Sequence, residues 1–366
     1  MVRRPPWGGD PNAPVFGPPF APLTETLSGT LSPHQYGGFS MGIYALGLDI
    51  GYSQVKMAVG DIDHAEPQTL VRPAVAGPAT LLSNRFLDDA PGGIEVSVQG
   101  APWIACGERG LLQGTTRELH ADYTTTDNYR ALFYAALRLT GRSVIDTVIT
   151  GLPVSHHQIP AHRKRLEEFM TQDHLVAPGH HVKVLRTQVL PQPAGAYIDL
   201  YTRREDLTDL LDEGRVVVLD IGYFSADWAI FERRQFHNLI SGSSQKAMSR
   251  LLDTAHQHIA RDHDGGPGID ALEDALRHGR DSALVFGERV AIAPYLESAA
   301  REIAPQIATH VRAALRDQSD NIDLVLLVGG GAHLYRPAVQ DAFPRSRFEV
   351  PEDGVIANAR GFWSYA

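Results

Sequence analysis

Two stretches decide the reading of this chain: YALGLDIGYSQVKMAVG at residues 44–60 and RVVVLDIGYFSADWAIF at residues 215–231. Each is an apolar run ending in an acid, Asp49 or Asp220, followed by Ile-Gly-Tyr and then by residues whose apolar members alternate, as Val55, Met57 and Val59 do. A short apolar run bounded by glycine reads as a buried strand, and alternation reads as a half-buried one, so each stretch predicts a hairpin. The glycine allows a tight turn where backbone can approach a ligand. Asp-Ile-Gly-Tyr recurs 171 positions later with matched strands on both sides. Repetition on that scale predicts two similar halves, each opening with strand, turn and strand.

A third signal lies at residues 323–333, where an apolar strand runs into Gly329, Gly330 and Gly331 and a helix is predicted from near Pro337. Without Cβ atoms a flat ring or a phosphate can lie against that backbone. A plain tight turn is the other reading. Between the signals, residues 143–153 and 185–190 read as strands and 158–170 as a helix. The small residues of 191–197 predict a helix packed closely on a neighbour. Residues 242–263 read as one long helix, with Ala247, Met248, Leu251, Leu252, Ala255 and Ile259 at helical spacing, stopped by Gly265-Gly266-Pro267-Gly268. Residues 291–315 read as a second long helix containing Pro305. This alternation of strands and helices predicts an α/β fold.

Composition narrows the function classes. A length of 366 residues predicts two domains, and 43% hydrophobic with 21% charged residues is enough for packed cores. The formal net charge of −10 argues against a chain that coats nucleic acid or an anionic membrane, since either needs clustered Lys and Arg. One cysteine, Cys106, rules out an internal disulfide framework and a cysteine-based zinc site, and fits a reducing cytosol. No apolar run reaches the roughly 18–20 residues that span a bilayer. The 16 histidines include the pairs His156-His157 and His180-His181, but none has the carboxylate-supported spacing of a metalloprotease helix. Residues 1–40 hold eight prolines and six glycines without an apolar period. They read as a disordered tail, or as an upstream start with Met41 as the working one, and neither reading puts function before Met41.

Together these residues resemble the actin, heat-shock chaperone and sugar-kinase ATPase superfamily, whose members place two ribonuclease-H-like halves around a nucleotide cleft. Residues 45–56 and 216–228 resemble its two phosphate loops, 189–197 and 350–362 its two connecting helices, and 324–333 its adenosine loop. The short length and the Asp-Ile-Gly-Tyr loops are most similar to the plasmid-segregation actin-like proteins of the ParM/StbA type. The resemblance implies a first domain over 41–190 with a return helix at 350–366, and a second over 191–349.

It also implies a site. Gly51, Tyr52 and Ser53 would face Gly222, Tyr223 and Phe224 around the phosphates of ATP or GTP. Asp49 and Asp220 would then lie beside a polyphosphate, which is tolerable only with a divalent cation, so Mg²⁺ is implied, held mostly through its waters. Lys56, seven positions after Asp49, has the spacing of the phosphate-contacting lysine of actin; a solvated strand lysine is the other reading. Gln192 falls where ParM-type proteins carry a glutamate that orients the attacking water and where actin carries glutamine. A neutral amide can orient water without acting as a base, or can simply cap the helix. Gln192, Asp49 and Asp220 form the implied catalytic set. Asp227 is a further acid that could position water or metal, or pair with backbone. Gly329, Gly330, Gly331 and Ala332 would meet base and ribose. Lys246 and Arg250, one helical turn apart, would reach ribose or phosphate, or stay in solvent. Tyr52 and Tyr223, larger than usual at these positions, would gate the phosphates or pack.

The implied function is a Mg²⁺-dependent cytoplasmic ATPase that assembles head to tail and moves plasmid DNA through a DNA-binding adaptor, without direct contact to nucleic acid or membrane. The alternatives are an ATP-switched accessory protein that does not polymerise, and a small-molecule kinase with Asp122 or Asp127 as base.

Overall fold

The computed structural model describes residues 42–82, 92–108, 110–112, 122–316 and 321–366; the expectation for residues 1–40 lies outside them. Tyr44–Ile50, Gln54–Asp61 and Gln68–Pro73 form an antiparallel meander, and Val144–Leu152 and His180–Pro191 add to it in parallel, with Asp173–Ala177 on the edge. The second sheet repeats the plan. Gln235–Phe236, Ala226–Glu232 and Arg215–Ile221 are antiparallel, and Leu324–Val328 and Arg347–Glu349 follow in parallel. The chain therefore has the two-domain actin-like α/β architecture.

The repetition extends to register. Asp49 pairs with Lys56 and Ile50 with Val55; Asp220 pairs with Asp227 and Ile221 with Ala226. Gly51 N–H donates to the Gln54 carbonyl at 2.9 Å and Gly222 N–H to the Ser225 carbonyl at 3.0 Å, so the two turns are closed in the same way. The run Val216–Leu219 is apolar throughout because both faces of its sheet are covered. Val217 and Leu219 pack with the helices Met248–Asp262 and Ala293–Leu315, while Val216 and Val218 pack with the helix Gln192–Arg203.

The helix Gln192–Arg203 leaves the first sheet and crosses the C-terminal helix Ala357–Ser364. The contact is backbone on backbone: a Cβ placed on Gly361 would stand 1.8 Å from the Gly195 carbonyl oxygen. Only glycine fits there, which accounts for the small residues read in the sequence. The crossing is tied by Arg360, whose guanidinium grips both carboxylate oxygens of Asp199 and also meets Asp353. The C-terminal helix lies against the first sheet, where Trp363 Nε1 donates to the Gly60 carbonyl at 3.1 Å.

Some local readings shift. Residues 242–263 are not one helix: Gly242–Ser244 is a strand paired with residues 226–228, and the helix begins at Met248. Sheet pairing overrides helical spacing there. The helix expected near Pro337 begins at Ala332, directly after the glycines, and contains that proline. No helix among the described residues is long and apolar enough to cross a membrane.

Candidate functional site

The two repeated turns face each other across a cavity of about 350 Å³, a size suited to a small organic ligand. Its lining includes Asp49, Gly51, Tyr52, Ser53, Lys56 and Gln192 from the first half, and Asp220, Gly222, Tyr223, Phe224, Asp227 and Gly330 from the second. Asp49 and Asp220 are 2% and 6% exposed. Their strands end at the cleft, so the hairpin register delivers both carboxylates to its floor.

Lys56 Nζ donates to Asp49 Oδ2 at 2.9 Å, and Gln192 Nε2 donates to Asp49 Oδ1 at 3.0 Å. Lys56 therefore belongs to the floor, and the amide of Gln192 reaches the acid rather than capping its helix. Burial works against the Lys56 charge, but the carboxylates of Asp49 and Asp220 outweigh it and leave the ammonium pKa raised. Asn358 Nδ2 donates to Asp220 Oδ2 at 2.6 Å, while a Cβ on Gly329 would stand 2.5 Å from Asp220 Oδ1. Gly329, at φ +86°, thus makes room for the acid. Gly331 packs against Ile221 and Met248, and Ala332 is buried at the helix start, so of these four residues Gly330 alone lines the cavity.

Asp227 is a tie between the halves. It accepts from Val154 N–H at 2.8 Å and from Ser225 Oγ at 2.6 Å, and Ser243 Oγ donates to it as well. Burial raises its pKa against those bonds. Of the two readings left open for Asp227, the backbone pairing is the one present.

Lys246 and Arg250 do not line the cavity. Both are exposed, and Arg250 pairs with Asp253 at 3.0 Å. The late start of the helix at Met248 leaves Lys246 before its first turn. Asp122 and Asp127 are also outside the lining: Asp122 lies 3.9 Å from Arg165, and Asp127 accepts from Gln99 at 2.9 Å.

Three carboxylates and one ammonium share this buried floor, and the imbalance has a titration signature. Burial, reinforced by Asp49 and Asp227, pushes the Asp220 carboxyl up to about 6 against the pull of Lys56. The folded chain therefore holds a proton between pH ~4 and ~6 that the unfolded chain has released. That contribution is fully present below the unfolded value and lost as pH rises through the folded one. Unfolding free energies of the wild type and Asp220→Asn, measured by denaturant titration, should therefore diverge across this window in favour of the variant, by up to roughly 3 kcal/mol.

Residues 47–195 match the family described as actin like proteins, N terminal domain, and residues 218–341 match the archaeal actin homologue MreB-like C-terminal family. This chain belongs to the actin-like proteins. A curated archaeal actin homolog from Thermoplasma acidophilum is 23% identical over 275 residues, 68% of this chain and 82% of that protein. The crystal structure of Ta0583, an archaeal actin homolog, superposes with a TM-score of 0.71 at 19% identity, covering 88% of this chain and 99% of that one; its complex with ADP gives 0.70 at 18%, with the same coverage. A ParM from a 15-stranded Clostridium botulinum filament gives 0.69 at 16%, covering 89% and 99%.

The actin-like protein also brings to its cleft residues that the sequence did not mark. Ser53 Oγ donates across it to Glu273, which is buried on the helix Ile269–Arg277. One turn on, the guanidinium of Arg277 is buried in the cavity wall without a hydrogen-bond partner among the described residues; Asp274 and Glu108 stand at 3.7 and 3.9 Å. Glu273 sits within the apolar stripe Leu272, Ala275, Leu276. That misplaced charge is the signal from which a helical projection could have found it.

Proposed function

We propose that this actin-like protein binds a Mg²⁺–nucleoside triphosphate, ATP or GTP, between its halves, hydrolyses it slowly, and assembles head to tail. The observation carrying this reading is the convergence of Asp49, Lys56, Gln192 and Asp220 on one floor between two matching glycine turns. The backbone N–H groups of Gly51–Ser53 and Gly222–Phe224 would hold the phosphates, with Lys56 adding its charge.

The donor set suits Mg²⁺. The floor is rich in carboxylate, and both oxygens of Asp49 and one of Asp220 are already engaged by donors. Asp49 and Asp220 would therefore hold the ion through its waters. Bound there, Mg²⁺ would neutralise charge on the phosphates. Gln192, fixed by its bond to Asp49, would orient the attacking water, and the two halves would exclude bulk solvent. Such positioning suffices for slow phosphoryl transfer to water. Arg277, whose guanidinium donors have no hydrogen-bond partner among the described residues, offers them to the ligand from the opposite wall.

The ADP complex of Ta0583 and the ParM filament support nucleotide binding and self-association in this fold. A cytoplasmic role in plasmid segregation through a DNA-binding adaptor is the cellular task that fits an acidic chain of this kind. Calorimetric titration with Mg-ATP and Mg-GTP, phosphate release without added acceptor, and sedimentation with ATP against ADP test the proposal. Saturable binding, release without acceptor and triphosphate-dependent pelleting are expected. Absence of binding would overturn it. Binding without pelleting would leave an ATP-switched protein that does not polymerise.

A further inference from the structure

The two turns carry aromatic rings, and the rings meet. Tyr52 follows Gly51 on the first turn, and Phe224 lies two residues after Gly222 on the second. Their ring centroids are 4.7 Å apart with planes at 47°. On its other side Tyr52 stacks on Tyr123, at 4.2 Å and 21°. Tyr123 meets Tyr129 edge-on at 5.4 Å and 85°, and Tyr129 belongs to the buried core of the first half. Four rings thus run from one core to the turn of the other half, and Tyr52–Phe224 is the step that crosses the cleft. Tyr223 instead packs against the core of its own half, so the aromatic partner of Tyr52 is Phe224. Burial pushes the Tyr52 hydroxyl up to about 12, so the ring stays neutral at any working pH.

This pair sits on the residues whose N–H groups must be reached by a ligand. The turns can part only if the rings separate, and an offset aromatic pair adds attraction beyond its buried area. We propose that Tyr52 and Phe224 form an aromatic clasp that sets how fast a nucleoside phosphate enters and leaves the cleft. The identity of the ligand rests on the function proposed above; the clasp itself does not. Both are positioning residues here, acting through the spacing of the turns. The ring contact is lost with either ring and kept by Tyr52→Phe.

The test uses the full chain without nucleotide first. Amide hydrogen exchange at residues 51–54 and 222–225 is compared in the wild type, Tyr52→Ala, Phe224→Ala, the double variant and Tyr52→Phe. Either alanine should accelerate exchange at both turns by roughly three- to tenfold. The double variant should add little, Tyr52→Phe should match the wild type, and amides of the strand Leu324–Val328 should be unchanged as a folding control. In a second arm, release of a fluorescent ATP analogue from its Mg²⁺ complex should accelerate by a similar factor in the alanine variants and stay at the wild-type rate in Tyr52→Phe. Unchanged turn amides in the alanine variants, or a Tyr52→Phe variant that behaves like alanine, would overturn the clasp. A wild type that binds no nucleotide would remove the proposed ligand while the amide rates still decide the clasp.

Discussion

Asp220→Asn is expected to lower nucleotide hydrolysis by roughly a hundredfold or more while leaving the fold intact. The amide keeps the shape of the carboxylate and an oxygen for Asn358, so packing on the cleft floor survives. What it loses is the charge that would hold Mg²⁺ through its waters and keep the phosphates registered against Gln192. The same change removes a buried anion that the ligand-free chain tolerates poorly, as the raised carboxyl of Asp220 records. Lost turnover together with an undiminished denaturation midpoint near pH 7 is the expected pair of results, read by phosphate release and urea titration. A variant that hydrolyses at the wild-type rate would remove Asp220 from the reaction. Sites that bind charge are commonly stabilised when that charge is removed.

The second large effect concerns stability. Arg360→Ala should cost about 3–5 kcal/mol of unfolding free energy, because Asp199 would remain 4% exposed without its partner. Burial already raises the Asp199 carboxyl against the pull of Arg360, so the pair has little desolvation in reserve. Asp199→Asn combined with Arg360→Met should recover a large part of the loss, since apolar and neutral groups of similar size leave no buried charge behind. Equilibrium unfolding of the wild type, Arg360→Ala and the double variant checks both statements. A loss below ~1 kcal/mol for Arg360→Ala would mean that the pair is hydrated and structurally idle.

Legibility differed along the chain for identifiable reasons. Asp49, Gly51, Lys56, Asp220 and Gly222 could be read because one hairpin delivers each set: the chemistry and its geometry sit within a dozen residues, and the duplication repeats the message. Gln192 could be placed because the strand His180–Pro191 runs straight into its helix at the cleft. Tyr123, Arg277 and Asn358 were out of reach, since each arrives from an element whose position is set by tertiary packing. Asn358 bridges Ala196 N–H and Asp220 over 162 and 138 positions, a relation that no local pattern encodes. Lys246 and Arg250 lie outside the cavity lining for a related reason. Helical spacing in the sequence runs back through Gly242–Ser244, but the backbone there is committed to the second sheet. Of the glycines at 329–331, expected beside base and ribose, Gly329 and Gly331 also make room for Asp220, Ile221 and Met248.

The contact of Gly195 with Gly361 has a mechanical consequence. There the Gly195 carbonyl sits directly against the Gly361 backbone, with no Cβ of either residue between the helices. Swivelling one sheet relative to the other would therefore meet least backbone resistance there, as at a spindle, while sliding along either helix would drive the Gly195 carbonyl into the Gly361 backbone. Such a joint permits twist and forbids shear, so any rearrangement between ligand states should leave these two glycines at a fixed distance.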